Sequence, residues 1–131
     1  EFLGEEGGRK CRFFLTGLQD FEPRVRSYDV VWIQWVIGYL TDDDCVAFLR
    51  RCGESLREGG VVVIKDNCCE SRESAFCLDV DDGFVNRSVE YVKALISLSG
   101  LTIILEKVQD DFPDEIFPVP MFACQLKDMT K

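Results

Sequence analysis

The sequence predicts an α/β fold, a mostly parallel sheet with helices laid on it and an antiparallel strand at its C-terminal end. Three observations carry this. Val30, Val31, Trp32 and Ile33, and again Val61 to Ile64, are apolar runs without polar alternation, as in strands covered on both faces of a parallel sheet. Between them Cys45, Phe48, Leu49, Cys52 and Leu56 recur at i, i+3, i+4, i+7 and i+11, an apolar stripe of helical period. Strand, helix and strand in that order make a β-α-β unit, and the chain then closes with helix, strand, acidic turn and strand.

Taken in order, a short apolar run over 12–16 stops at Gly17 and reads as a first strand. The second strand spans 28–34. Thr41 is placed to cap the following helix, with Asp44 as a short capping-box partner, and the helix runs to about Leu56 before Gly59-Gly60 ends it. The third strand is 60–64. A second helix over 87–98 sets Val89, Val92 and Ile96 on one face, and Gly100 suits a left-handed end. Strands over 101–106 and 121–126 flank an acidic turn at 109–115.

Composition narrows the chemistry. The 131 residues suit one domain with one core, and a formal charge of −9 favours a cationic partner over nucleic acid. The longest apolar region, Val30 to Leu40, is interrupted by Gln34, so no segment has the roughly 18 apolar residues that a membrane-crossing helix needs. The opening Glu1 to Gly8 run has neither the basic nor the apolar part of a signal peptide. Seven cysteines, none in a C-x-x-C pair, read as reduced intracellular thiols, and with no histidine no Cys/His zinc site and no metal centre is expected. Histidine-dependent Ser or Cys catalysis is excluded for the same reason. Vicinal Cys68 and Cys69 fall in a strand-end loop with nothing in the sequence to lower their pKa, which argues against a nucleophilic role.

In an open doubly wound sheet ligands bind beyond the C-terminal ends of the strands. That rule selects Gly17-Leu18-Gln19-Asp20, Gln34-Trp35 and Asp66-Asn67, each a polar turn directly after an apolar run. Each alone is equally a turn starter; three together point to a site. No G-x-G-x-x-G or other phosphate-cradling loop occurs in the chain.

The block Tyr28-Asp29-Val30-Val31-Trp32-Ile33-Gln34-Trp35-Val36-Ile37-Gly38-Tyr39-Leu40-Thr41-Asp42 resembles the eukaryotic alpha-N-terminal protein methyltransferases. Gly17-Leu18-Gln19-Asp20-Phe21, Phe48-Leu49-Arg50-Arg51-Cys52, Val63-Ile64-Lys65-Asp66-Asn67 and Pro113-Asp114-Glu115-Ile116 are similar to that family in the same order. The resemblance implies a class I, Rossmann-like, S-adenosylmethionine-dependent methyltransferase acting on the α-amine of proteins that begin X-Pro-Lys or X-Pro-Arg, in the nucleus or cytoplasm. It also implies that residues 1–131 are the C-terminal part of a single domain, since the family's glycine-rich cofactor loop and ribose-holding acid belong upstream. By position, Leu18, Gln19 and Gln34 resemble residues that line the cofactor pocket, and Trp35 the aromatic that packs on the substrate proline. Asn67 resembles the amide that holds the substrate's N-terminal end. Asp79 and Asp82 resemble the family's two acidic substrate residues, with Asp82 as the base; read from the sequence alone, both equally fit a solvated loop before a helix.

Acids suit that role. A free α-amine has a pKa of about 7.7 to 8.0, so near neutrality it must lose a proton before its lone pair can attack. Two departures stand out. Tyr39 occupies the place of a family histidine that shares the handling of the proton, and a phenol is no substitute for imidazole as a base at neutral pH. Phe84 and substrate-side Phe117 stand where the family offers hydroxyls. Two other readings stay open, a noncatalytic remnant that binds basic N-terminal tails and a class I methyltransferase for another substrate.

Overall fold

In a computed structural model the chain is described over residues 11–70, 74–109 and 118–127. Its elements are β1 (Tyr28–Gln34), a single 3-10 turn (Ile37–Tyr39), α1 (Asp42–Glu54), β2 (Leu56–Lys65), β3 (Phe76–Asp79), β4 (Phe84–Arg87), α2 (Val89–Leu98), β5 (Leu101–Val108) and β6 (Pro120–Leu126). Four strands form one sheet in the order β1-β2-β6-β5, and β3 and β4 form a separate hairpin.

The sheet is mixed, which corrects the expectation of a mostly parallel one. Only β1 and β2 pair in parallel; β6 is antiparallel to both β2 and β5. Three of the four strands still point the same way. The single reversed strand wedges between β2 and β5 instead of adding to an edge, so it converts two of the three pairings.

Both helices begin and end with a serine or threonine whose hydroxyl bonds the backbone. Thr41 Oγ1 accepts from Asp44 N at 3.2 Å and Ser88 Oγ from Tyr91 N at 3.1 Å. At the other ends Ser55 Oγ donates to Cys52 O and Ser99 Oγ to Ile96 O, each at 2.6 Å, so these buried hydroxyls satisfy last-turn carbonyls. Gly100, at φ 85°, then makes the left-handed exit that a side chain would resist. Arg87 is therefore the last residue of β4, not the first of the helix. Gly59-Gly60 lies inside β2 rather than ending α1, because Ser55 already closes that helix.

The core lies between the helices and one face of the sheet. Cys45, Phe48, Leu49 and Cys52 of α1 and Val92, Leu95 and Ile96 of α2 pack with Ile33, Val62, Ile64, Phe122 and Cys124. Residues of the alternate register, Val30 and Trp32 on β1 and Leu105 on β5, are more than half exposed, so β1 is covered on one face only among the described residues. The expected strand over 12–16 does not form. Its residues pair with no strand in the described structure, and a lone extended run has no ladder to hold it, which leaves Phe13, Phe14 and Leu15 exposed.

Phe122 is the largest of the fully buried side chains among the described residues and sits on one of the two inner strands. Phe122→Ala is expected to cost about 3–5 kcal/mol through lost burial and the cavity left behind, measured as a lower urea midpoint with an unchanged slope.

Candidate active site

Two segments far apart in sequence meet over the C-terminal ends of β1 and β2. The first is the turn that leaves β1. Trp35 has φ 54°, a left-handed conformation that costs a non-glycine residue on the order of 1–2 kcal/mol. Two bonds hold it there: Trp35 N donates to Lys65 O at 2.9 Å, and the indole Nε1 donates to Asn67 Oδ1 at 3.1 Å. Lys65 Nζ lies 5.2 Å from the centre of the indole ring. The strained turn thus aims Trp35 along the face of Asn67, the residue that leaves the neighbouring strand.

The second segment is the β3-β4 hairpin, read from the sequence as a loop. Asp79 Oδ1 accepts from the N–H groups of Asp81 and Asp82 at 3.1 and 3.3 Å, and Gly83 N donates to Asp79 O at 2.8 Å. Gly83 takes φ 67°. Asp79 therefore builds the turn that presents Asp82 as well as lining the site itself.

Arg87 joins the two segments. Its guanidinium is buried, 3% exposed, at the end of β4, and it donates to Ile37 O at 3.2 Å, Leu40 O at 2.8 Å and Asp42 Oδ1 at 3.1 Å. Tyr91 hydroxyl donates to the other oxygen of Asp42. The carbonyls it takes bracket Gly38-Tyr39. Gly38 faces the ring of Phe84, where a Cβ would come within 2.4 Å, and Tyr39 stacks edge-on against Phe84 with centroids 4.8 Å apart.

The result is a cavity of about 420 Å³ lined by Trp35, Tyr39, Asn67, Asp79, Asp82, Phe84 and Asn86. Six positions singled out from the sequence, Trp35, Tyr39, Asn67, Asp79, Asp82 and Phe84, come together here. Asn86 was not anticipated; it lies two residues from Phe84 on the same face of β4, an alternation hidden while 78–87 read as loop. Phe117 lies outside the described residues.

A second cleft, of about 510 Å³, wraps the edge of β1, an outer strand among the described residues, and includes Leu18, Phe21, Val36 and Gln34. Arg51 of α1 fixes its rim: Nε donates to Phe21 O at 3.0 Å, and Nη2 to Leu18 O and Gln19 O at 3.1 and 3.2 Å. Leu18 and Gln34 thus share one cleft. Gln19 is not among its lining residues, and its amide lies against Gly17. Gln34 Oε1 accepts from Trp32 Nε1 at 2.9 Å, leaving the amide nitrogen to donate to a ligand.

The five buried cysteines, Cys45, Cys52, Cys68, Cys69 and Cys124, are poor nucleophiles. Burial pushes the Cys45 thiol up to about 11 and those of Cys52, Cys68 and Cys124 up to about 12, and burial with a hydrogen bond to Cys77 also raises Cys69. No group of three or more His, Cys, Asp or Glu side chains is disposed to hold a metal among the described residues.

The sequence pattern of a family described as AdoMet dependent proline di-methyltransferase matches residues 1–125. Over 122 residues the chain is 48% identical to N-terminal Xaa-Pro-Lys N-methyltransferase 1 of Homo sapiens and equally to that of Rattus norvegicus, covering 93% of this chain and 53% of each relative. The chain thus spans about half the length of the curated relatives it matches. A SAM-dependent methyltransferase of Leishmania major superposes with a TM-score of 0.81 at 32% identity, over 86% of this chain and 44% of that one. A 1,6-didemethyltoxoflavin-N1-methyltransferase of Burkholderia thailandensis shares the fold alone, with a TM-score of 0.74 at 13% identity over 93% of this chain and 54% of that one.

Asp66, expected beside Asn67 as a ligand position, turns inward instead and is 4% exposed. Oδ1 accepts from Asn67 N at 2.8 Å, while Oδ2 forms no hydrogen bond. Burial raises its pKa from 3.8 to about 6, although the Asn67 N–H, the nearby Ile37 and Val36 amides and the Arg87 charge pull the other way. An acid raised in this way keeps its proton in the folded state after the unfolded chain has lost it. Stability therefore falls as pH rises from about 4 to about 6 and is level above that, by at most roughly 3 kcal/mol from this group. Denaturation of wild type and Asp66→Asn across that window is expected to show the fall in wild type and to lack this component in the variant; parallel profiles would exclude it.

Proposed function

Because the chain belongs to the AdoMet dependent proline di-methyltransferase family and carries part of a class I, Rossmann-like methyltransferase fold, we propose that it is the C-terminal part of a protein alpha-N-terminal methyltransferase. The proposed reaction transfers a methyl group from S-adenosylmethionine to the α-amine of proteins beginning X-Pro-Lys or X-Pro-Arg. One observation supports it above the rest: an aromatic ring, an amide and two carboxylates from three separate stretches of chain line one cavity beyond the strand ends.

The cleft at the edge of β1 fits part of the cofactor. Leu18, Phe21 and Val36 offer an apolar wall for a flat ring, Gln34 offers a polar end, and the turn held by Arg51 carries Gln19 alongside. When bound, S-adenosylmethionine supplies an electrophilic methyl group on a sulfonium. The remaining half of such a pocket is assigned to sequence upstream of this chain.

In the substrate cavity each residue has a distinct task. Trp35 gives the proline ring a flat apolar surface, and its indole N–H occupies Asn67 Oδ1. The Asn67 amide nitrogen is thereby directed to donate to a carbonyl at the substrate's N-terminal end. Asp82 attracts the ammonium and accepts the proton that must leave before the amine can attack. Asp79 adds negative charge that selects a basic third residue. The Tyr39 hydroxyl is a hydrogen-bonding group on the rim and the Tyr39–Phe84 pair keeps that wall apolar. The reduced thiols suit a nuclear or cytoplasmic protein.

Calorimetric titration with a peptide beginning Ser-Pro-Lys is the direct test. A free α-amine is expected to bind at least about tenfold more tightly than its Nα-acetylated form, a difference of ~1.4 kcal/mol or more, and Trp35→Ala and Asp82→Ala are expected to abolish the preference. Equal affinity for the two peptides would sink the proposal. With the upstream half of the domain supplied, mass spectrometry of the peptide after incubation with S-adenosylmethionine separates methyl transfer from a chain that only holds basic tails.

A further inference from the structure

Trp35 is open to a ligand, 41% exposed on the wall of the substrate cavity, and its ring must keep one orientation if a proline is to pack on it. The two hydrogen bonds described above fix it only in part. The backbone N–H on Lys65 O sets where the side chain starts, and the indole Nε1–H on Asn67 Oδ1 pins one edge of the ring. A ring held at those points still swings about the line that joins them. Fixing its plane takes a third contact off that line.

Lys65 supplies it. It is the half-buried last residue of β2 and pairs with Gln34 across the parallel ladder, so its side chain starts beside the turn that carries Trp35. Its ammonium stands over the indole, with Nζ 5.2 Å from the ring centre, inside the roughly 6 Å over which a π face attracts a cation. Trp35 lines the cavity and Lys65 does not, which places the ammonium outside the wall and leaves the opposite face of the ring to a ligand.

The charge of Lys65 is otherwise out of place. A substrate with a terminal ammonium and a basic third residue is drawn to Asp79 and Asp82 and repelled by a lysine. The cation is useful through the ring instead. With one face occupied, the indole offers its other face to an uncharged ring, and a second cation there is disfavoured. The proline is thereby received by Trp35 and the ammonium is left to Asp82.

We propose that Lys65 is a positioning residue whose ammonium backs the Trp35 indole and so presents the ring's other face to the substrate's second residue. This inference rests on the methyltransferase reading. Lys65→Met tests it by keeping an unbranched stem and removing the charge, and Lys65→Arg by keeping a cation that also stacks on aromatic faces. In about 0.5 M salt, which screens charges that are not in contact, Lys65→Met is expected to bind a Ser-Pro-Lys peptide about threefold more weakly than wild type, and Lys65→Arg about as tightly as wild type. Loss of repulsion alone would tighten binding, so the direction of the change separates orientation of the ring from bulk charge.

A second readout needs no peptide. In a Trp32→Phe background Trp35 is the one remaining tryptophan, and quenching of its fluorescence by acrylamide is expected to rise in Lys65→Met and to return to the Trp32→Phe level in Lys65→Arg. Both lysine variants are expected to melt within about 4 °C of wild type. Binding by Lys65→Met as tight as wild type or tighter, unchanged quenching, or a loss that arginine does not restore overturns the inference and leaves the methyltransferase reading standing. A wild-type chain that binds free and Nα-acetylated peptide equally overturns that reading and this inference together.

Discussion

The Arg87 guanidinium is the constraint on which the candidate site depends. A buried cation is unfavourable unless every donor finds an acceptor, and Arg87 finds them in a carboxylate and two backbone carbonyls. Those carbonyls belong to Ile37 and Leu40, on either side of the segment that carries Tyr39. Arg87 itself ends the strand that carries Phe84 and Asn86. One side chain therefore holds a turn from the first third of the chain against a hairpin from the last half, and the cavity is the space left between them. Asp66 lies under the same turn, near the Val36 and Ile37 amides. Trp35 is held in its left-handed conformation by its own N–H on Lys65 O and its indole N–H on Asn67 Oδ1, while Arg87 fixes the segment that follows.

This arrangement puts the polar groups where the sheet can least dilute them. The helix-facing side is a core of Ile33, Val62, Ile64, Phe122 and Cys124, and its buried polar groups among the described residues are serines at the helix ends and, towards the strand ends, Asp66 and Arg87. The opposite face carries half-exposed Val30 and Trp32. Chemistry-bearing residues are confined to the strand ends, where side chains diverge from a rigid frame. Strain in a loop is tolerable there because β1 and β2 pair in register right up to Gln34 and Lys65.

The strand ends are also what the sequence made legible. Apolar runs marked β1 and β2, Thr41 marked the start of α1, and of the residues that follow those runs Trp35 and Asn67 line one cavity and Gln34 another, while Asp66 turns inward. The hairpin was hidden. Its strands are four residues each, and they flank a turn with three aspartates in four positions, a composition that reads as solvated loop. Only tertiary pairing turns Phe84 and Asn86 into one face and Val85 and Arg87 into the other. The run at 12–16 failed for the converse reason: it has strand composition but no neighbour in the described structure, and composition alone does not make a ladder. The order of the sheet was out of reach because a hairpin between β5 and β6 is compatible with β6 at an edge or in the interior, and nothing local distinguishes the two.

Tyr39 bears on how the proposed reaction would manage its proton. A histidine at that place would share the task with Asp82; a phenol stacked edge-on against Phe84 instead adds apolar surface to the wall. Removing water from around an α-amine disfavours its charged form and so lowers the pKa that must be overcome. The same drying strengthens the attraction between the ammonium and the carboxylates at the hairpin turn, which works in the other direction. Which effect wins depends on how much of Asp82 remains solvated with substrate bound. Asp82 is exposed at the tip of a turn whose shape is fixed by Asp79 and not by the substrate, so it keeps access to water as a route for the proton. In the proposed reaction the proton-handling task would then fall to one carboxylate and solvent, and the aromatic pair would orient the amine rather than deprotonate it.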